Sequence, residues 1–378
     1  MRPENATRKL ARHGFMAAAL VCGLLAGSVQ ARTLTYSIYT PPTAPGSVAI
    51  KKFDEMIQKD TGGELKLDMY FSGTLTSGKT TLAGIKSGLT DGGGLVTAYT
   101  PSSFPVNMIL SNLSFYNEDN RVVTGAIMET TQNDCPACLA EYRKLNVHYL
   151  SSMATAPYHL MCAKSFPDGF SAKGLRTRVP SEELSAWLKG IGAVPVHMAN
   201  TEAYQALQRH ALDCAMGAVV WLHDLSWNEV IDTVVSMPMG GYQGGALIAF
   251  SQTVWDSLND QERRALEKAS MYATAVFAYQ FVDGTANAVK EAKNKYHIKF
   301  VDASDELKAQ RAAFTKQEVQ YAIHQAVSQG VSKNEAEAII KAFQKNYAKW
   351  QALIGDKPLS VDQYARMLAD NVLRPSRN

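Results

Sequence analysis

The order of strand-like and helix-like segments is the feature that most constrains the fold of this chain. The two patterns alternate over residues 33–98 and again over 173–220, although the two stretches share no repeated sequence. Such alternation is typical of α/β folds, in which helices cover a largely parallel sheet. Strand patterns lie at 33–39, 65–71, 93–98, 147–151, 158–163, 173–180, 194–198, 212–220 and 246–251. The sequence therefore predicts two α/β units.

The second half of the chain is dominated by helical patterns. From residue 260 to 296 the apolar spacing is helical almost without a break, which is long for a globular protein. We expect this helix to cross between the two units, straight or kinked. Three further helical patterns, at 304–329, 333–354 and 361–373, end the chain.

The first 31 residues have the composition of a secretory signal peptide. A basic start is followed by an apolar run over 15–26 and by small residues around Ala31. That run is shorter than the roughly 20 residues that span a bilayer, although an uncleaved anchor is the alternative. Cys22 does not indicate a lipoprotein, because Val21 precedes it. The sequence predicts a periplasmic product that begins near Arg32.

The charge of the exported product excludes two classes of partner. The leader holds four of the 38 basic and one of the 35 acidic residues, so 34 of each remain. A nucleic-acid or membrane-surface protein needs a basic face, which this balance does not favour. The 347 of 378 residues that follow the leader are more than one core usually holds and suit two lobes.

Four cysteines follow the leader, at positions 135, 138, 162 and 214. An even number in an exported protein favours disulfides, with three pairings open. A zinc site and a redox C-x-x-C are the alternatives. No further ligand motif supports zinc, and Cys135–Cys138 follows a helical pattern, whereas a redox motif begins a helix after a strand. We predict structural bridges, no metal and no cofactor.

One nucleotide-binding motif occurs but is rejected. Residues 73–80 match the Walker A pattern, between a strand and a helix. ATP is not available where the leader directs the protein, and no strand ending in aspartate follows to hold magnesium. The same helix start, with Ser77, suits an anionic or hydroxylated ligand instead. No hydrolase motif is present, and the sequence predicts a protein that is not an enzyme.

Arg178 is the strongest single candidate for ligand binding. It ends a short strand just before Pro180, at the carboxyl edge of a predicted sheet, where open α/β folds bind ligands. A guanidinium there can hold a carboxylate through two parallel hydrogen bonds. A salt bridge on the surface or between lobes is the alternative.

Short motifs between residues 61 and 213 recur in the order of a known family. They are TGG (61–63), GTL (73–75), KSGLTD (86–91), KGLRTRVP (173–180), GAVPV (192–196), EAYQALQ (202–208) and LD (212–213). In these motifs the chain resembles the solute-binding subunits of TRAP transporters, the DctP-type family. Val254, Trp255 and Leu258, with the long helix after them, fit the family's helix that spans both lobes.

The resemblance implies a two-lobed periplasmic-binding-protein clamp (type II-like) with a long inter-lobe helix and C-terminal helices. We place the first lobe at 32–155 plus 243–282 and the second at 156–242 plus 283–378. It also implies a non-catalytic, monomeric receptor that hands a small organic acid to TRAP membrane subunits. A binding protein of another uptake or sensory system, for a small dicarboxylate, is the alternative.

The resemblance also assigns candidate ligand contacts. Arg178 occupies the position of the family's carboxylate anchor, and Tyr158 or His159 stands where members often have a second cation. Where members offer polar residues, this chain has Met216 and Gly217. The candidate ligand contacts are Arg178, Tyr158, Asn200, Gly217, Trp221, Met216, Ser77 and Tyr99.

The positions at which this chain differs from the family's polar residues are the basis of the prediction about the ligand. An apolar wall suits a monocarboxylate with an aromatic or apolar body, or a keto acid. Plain core packing is the alternative reading of Trp221, and an N-cap that of Asn200.

Overall fold

The computed structural model describes residues 31–166, 169–355 and 357–373. Residues 1–30, which hold nearly all of the predicted leader, lie outside the described residues. Over the three described ranges, no helix is both long enough and apolar enough to cross a membrane.

The strands and helices follow the predicted order closely. The strands are β1 (Arg32–Ser37), β2 (Leu65–Tyr70), β3 (Gly92–Leu95), β4 (Val147–Ala154), β5 (Tyr158–Cys162), β6 (Arg176–Val179), β7 (Val194–His197), β8 (Cys214–Ala218), β9 (Thr233–Val235), β10 (Gln243–Ser251) and β11 (Lys299–Val301). The helices are α1 (Pro45–Asp60), α2 (Thr81–Ser87), α3 (Asn107–Ser111), α4 (Asn120–Glu129), α5 (Pro136–Lys144), α6 (Glu182–Gly190), α7 (Asn200–Gln208), α8 (Trp221–Asp224), α9 (Gln252–Ser257), α10 (Asp260–Asn294), α11 (Asp305–Ser328), α12 (Lys333–Ile354) and α13 (Val361–Val372). Short 3₁₀ turns lie at Thr97–Tyr99, Pro101–Ser103, Ser114–Tyr116 and Trp227–Glu229, and a π-helical turn at Thr130–Asp134.

The strands form two separate sheets, which confirms the predicted two-lobed α/β architecture. The first sheet has the order β2-β1-β3-β10-β4 and the second the order β11-β9-β5-β8-β6-β7. In the first, β1 runs parallel to β2 and β3, and β10 lies antiparallel between β3 and β4. In the second, β6 runs parallel to β7 and β8, and β5 lies antiparallel to β8.

The chain crosses between the sheets three times. It passes from the first to the second between β4 and β5, and it returns between β9 and β10. The third crossing is α10, which at 35 residues is about 50 Å long. Asn259 and Glu262 begin this helix with a reciprocal capping box. One end packs on α1, and near the other end His223 of α8 contacts Glu291 at 2.7 Å.

The sequence pattern of the C-terminal helices did not predict which elements they pack against. We grouped 283–378 with the second lobe, and those boundaries stay a prediction. In the structure α12 packs against α4 and α13 against α10. The Trp350 indole donates to Glu129 at 2.9 Å, and the Tyr364 hydroxyl donates to the Arg121 carbonyl at 2.6 Å. An amphipathic helix pattern predicts a buried face but does not specify what covers it.

The four cysteines form two disulfides, as predicted, and the structure decides the pairing that the sequence left open. Cys135 bonds Cys138, and Cys162 bonds Cys214 directly across the register of β5 and β8. The C-x-x-C follows a helical stretch, as predicted, and it also begins a new helix. The π-helical turn ends at Asp134, and Pro136 opens α5 with Cys135 as its N-cap.

Candidate ligand-binding cleft

A cleft lies between the two lobes at the carboxyl ends of β1 and β6. It encloses about 780 Å³ including its open mouth. First-lobe side chains on its walls include Tyr39, Tyr99 and Phe277, and second-lobe side chains include Asn200 and Trp221. In each sheet the parallel strands have their carboxyl ends at the same edge, and ligands of open α/β folds bind beside such an edge.

Arg178 lies behind this cleft as a fully buried cation. Its side chain is 0% exposed, and it is the third residue of β6, two residues before Pro180. Nε donates to the Met198 carbonyl and Nη1 to the Met216 carbonyl, both at 2.9 Å, and Nη2 donates to the Tyr99 hydroxyl at 3.4 Å. These bonds use three of the five N–H donors of a guanidinium. In the described ranges no carboxylate pairs with it, so the predicted alternative of a salt bridge is not found.

Tyr99 and Asn200 join the lobes beside Arg178. The Asn200 backbone N–H donates to the Tyr99 hydroxyl at 3.2 Å, and that hydroxyl lies 3.4 Å from Asn200 Oδ1. Asn200 is the first residue of α7, and the N-cap is Ala199. The N-cap alternative for Asn200 is therefore wrong. The positive end of α7 points at this part of the cleft.

The second-lobe wall of the cleft is aromatic. The rings of Tyr158 and Trp221 lie 5.3 Å apart, and Trp227 packs edge-on behind Trp221 at 5.6 Å. The Arg178 guanidinium carbon lies 5.9 Å from the Trp221 ring centroid, within cation–π range. Burial raises the pKa of the Tyr158 hydroxyl well above its usual value, so the hydroxyl stays neutral and can donate.

Besides Arg178, which lies behind the cleft wall, three predicted contacts do not line the cleft. The Met216 side chain is fully buried in the core, and only its carbonyl reaches the site, through Arg178. Gly217 lies beneath Trp221. Ser77 is exposed outside the cleft, because Thr80 Oγ1 engages its N–H at 2.9 Å and its hydroxyl at 3.0 Å. The contribution of these three residues to binding stays a prediction.

The Walker-like loop reaches the second lobe through one ion pair. Lys79 pairs with Glu202 of the second lobe at 2.9 Å. A Cβ on Gly78 would lie 3.1 Å from the Tyr99 ring and 3.3 Å from the Tyr39 ring, so this glycine lets both rings approach the loop.

The cleft residues that sequence reasoning missed include two tyrosines. Tyr39 follows the end of β1, and Tyr242 precedes β10 at the second crossing. The argument that selected Arg178, a position at the carboxyl end of a strand, applies equally to Tyr39. His159, the alternative to Tyr158, donates from Nδ1 to the Val235 carbonyl at 2.8 Å instead, and burial lowers its pKa.

Gly217 supports the aromatic wall by having no side chain. An added Cβ would lie 2.6 Å from the Trp221 ring and 2.9 Å from the Trp227 ring. We expect Gly217→Ala to lower the free energy of unfolding by about 1–3 kcal/mol through overpacking. Urea unfolding followed by tryptophan fluorescence measures this. Gly190→Ala is the control, since its Cβ meets nothing within 4 Å, and equal stability of the two variants would contradict the prediction.

Comparison with known proteins identifies the family. The model of the family "Bacterial extracellular solute-binding protein, family 7", DctP, matches residues 36–349. The chain belongs to this DctP family. Its members are the solute-binding receptors of TRAP transporters.

Individual relatives are distant in sequence but similar in fold. The C4-dicarboxylate-binding periplasmic protein DctP of Rhodobacter capsulatus is 27% identical over 64% of this chain and 71% of its own length. A TRAP solute-binding protein from Rhodoferax ferrireducens, in complex with benzoate, has a TM-score of 0.75 at 16% identity, covering 85% of this chain and 99% of that one. A marine metagenome TRAP protein specific for aromatic acids, with 3-hydroxybenzoate, has a TM-score of 0.74 at 19% identity and the same coverage. The two structures establish the DctP-family fold for this chain.

Proposed function

We propose that the protein is the periplasmic receptor of a TRAP-type transporter and that it binds a small organic monocarboxylate, with Arg178 as the carboxylate anchor. The favoured ligands have an aromatic or apolar body, keto acids included. One observation carries this proposal: the buried Arg178 guanidinium has no carboxylate partner among the described residues. A buried cation is costly unless an anion compensates it, and the ligand supplies that anion.

The far part of the cleft supports the apolar body. Beyond Tyr99 the cleft extends into the first lobe, where its lining is apolar and buried. These chamber residues are Ile38, Ile50, Val96, Leu247 and Phe277. An aromatic ring with one carboxylate matches a chamber of this kind beside a single guanidinium. The Rhodoferax and metagenome proteins hold benzoate and 3-hydroxybenzoate.

A small dicarboxylate is the alternative, since the Rhodobacter relative is named for C4-dicarboxylates. A second carboxylate would need a second cation in the cleft. Lys79 at the mouth is paired with Glu202, and the apolar chamber offers no charge among its lining residues. Burying an unpaired carboxylate there would cost several kcal/mol.

Ligand binding favours closure because the cleft walls belong to both lobes. Arg178 and Trp221 come from the second lobe, and Tyr39 and Tyr99 from the first. A ligand that touches both walls stabilises the closed arrangement relative to the open one. In this proposal residues 1–31 are removed on export, the mature receptor acts as a monomer, and TRAP membrane subunits receive the ligand unchanged.

A thermal-shift comparison tests the proposed ligand class. The mature protein is heated with benzoate, phenylpyruvate or succinate at equal concentration, and calorimetry follows each stabilising compound. We expect the aromatic acids to raise the melting temperature by several degrees at concentrations well above Kd, and succinate to leave it unchanged. A larger shift with succinate would replace the proposal with the dicarboxylate alternative.

A further inference from the structure

Four tyrosines converge on the Arg178 end of the cleft. Other residues of the protein engage the hydroxyls of two of them, Tyr99 and Tyr242. Tyr99 contacts Arg178 and Asn200. The Tyr242 hydroxyl accepts from the Thr97 N–H at 3.0 Å and lies 3.2 Å from Thr97 Oγ1.

The remaining two tyrosines are Tyr158 and Tyr39. Tyr158 belongs to the second lobe, like Arg178, and its ring packs against Trp221. Tyr39 belongs to the first lobe, and its hydroxyl has no hydrogen-bond partner in the described part of the chain. Tyr39 therefore offers the cleft a hydroxyl from the first lobe that no described residue engages.

The position of Tyr39 is set by its neighbours. Its ring packs edge-on against Tyr99, with centroids 6.5 Å apart and planes at 78°. Gly78 borders both rings, and a Cβ there would lie 3.3 Å from the Tyr39 ring. These contacts fix the ring on the first-lobe wall, across the cleft from Arg178.

The surroundings keep the Tyr39 hydroxyl neutral. Burial raises its pKa well above the usual value, and the nearby phenols of Tyr99, Tyr242 and Tyr158 act in the same direction. The Arg178 charge acts against them. A neutral phenol both donates and accepts a hydrogen bond. It can therefore serve a ligand hydroxyl or a ligand carbonyl equally.

We propose that Tyr39 is a specificity-determining residue that recognises an oxygen on the carbon next to the ligand carboxylate. The inference rests on the proposed function, in which Arg178 holds that carboxylate. With the carboxylate on the second lobe, a substituent on the adjacent carbon lies closest to the group facing it from the first. The receptor thus favours 2-hydroxy and 2-oxo acids with an aromatic body over the same acids without that oxygen.

The physical basis of the selection is the cost of an unmet polar group. When the lobes close on an acid that lacks the 2-oxygen, the Tyr39 hydroxyl loses water and gains no partner. A buried unsatisfied donor lowers affinity by about one to two powers of ten. An acid with the oxygen also bonds both lobes at once, which couples the selection to closure.

The test compares mandelate with phenylacetate, which lacks only the hydroxyl, and phenylpyruvate with 3-phenylpropionate. Calorimetry on the mature protein is expected to give a preference of about 10- to 100-fold for each oxygenated acid. Tyr39→Phe keeps the ring and is expected to abolish this preference, because affinity for phenylacetate rises by about 10-fold or more once no hydroxyl is left unsatisfied, and mandelate loses its partner.

Tyr242→Phe is the matched control, because Thr97 already engages that hydroxyl. We expect this variant to keep the preference. Thermal unfolding without ligand verifies that both variants fold. Phenylacetate binding as tightly as mandelate in the unmodified protein, or a preference that survives Tyr39→Phe, would overturn the assignment and leave the proposed function standing. If no acid of either pair binds, the proposed ligand class itself fails, and the assignment with it.

Discussion

Replacing Arg178 with glutamine is expected to weaken binding of benzoate or a related aromatic acid by about 30- to 5,000-fold, equivalent to 2–5 kcal/mol. Glutamine has a single N–H₂ group and no charge, so it cannot satisfy two backbone carbonyls and also neutralise a carboxylate. The loss is measured by calorimetry, with thermal unfolding of the free variant to verify its fold. This is the largest effect that we expect of a single substitution on ligand binding.

The same strand supplies a control for the change in net charge. Arg176 lies two residues earlier, is exposed, and pairs with Asp213 at 2.9 Å outside the cleft. Arg176→Gln removes the same charge and is expected to change affinity less than about twofold, because exposed charges are screened. Near-normal affinity in Arg178→Gln, or an equal loss in both variants, would eliminate Arg178 as the anchor.

A buried pair of carboxyl groups is expected to make folding stability depend on pH. Glu183 on α6 and Glu318 on α11 are both almost fully buried. Glu183 Oε2 accepts from the Ser114 hydroxyl, and Glu318 Oε1 accepts from the Phe115 N–H at 2.5 Å. The other oxygen of each carboxyl has no separate donor among the described residues. One proton shared between those two oxygens satisfies both.

The direction of the pH effect follows from where that proton binds more tightly. Burial, reinforced by the charge of Glu318, raises the pKa of Glu183 well above its usual value, and burial raises that of Glu318 to about 8, with Arg311 acting in the opposite direction. The folded state therefore holds the proton more tightly than the unfolded chain. The stabilisation is complete below about pH 4.5 and is lost as the pH rises towards 8.

Glu183→Gln is expected to remove most of this pH dependence. The amide donates permanently to Glu318, so no proton has to be retained. Between pH 5 and pH 9 the free energy of unfolding of the unmodified protein should fall by at least about 1 kcal/mol more than that of the variant. Urea unfolding at several pH values measures the difference. Glu182→Gln, at the exposed neighbouring position, is the control, and parallel pH profiles for Glu183→Gln and the unmodified protein would refute the shared proton.

Several elements were predictable because their signals are local. The α10 pattern, with Asn259 before it and an apolar face along it, specifies a long helix without reference to any other part of the chain. Arg178 was identified because a strand pattern ended by Pro180 places it at a sheet edge. The Trp221 wall was inferred from a departure from family residues, and the ring does lie on the cleft.

Other features depended on which segments meet. No local pattern indicated α12 against α4, the choice of Cys162 as the partner of Cys214, or a Glu183–Glu318 pair separated by more than a hundred residues. Met216 shows the limit at a single residue: its place on β8 was predicted, but its side chain enters the core and its carbonyl serves Arg178.

The sequence by itself determined the α/β order of elements, the family and the position of one guanidinium at the end of a strand. The tertiary structure alone decided that this guanidinium is buried without a carboxylate partner in the described residues, and that Tyr39 and Tyr99 face it from the other lobe. Periodicity and capping act over a few neighbouring residues and are visible in the sequence. The pairing of distant surfaces depends on sheet order, register and packing, which no local pattern encodes.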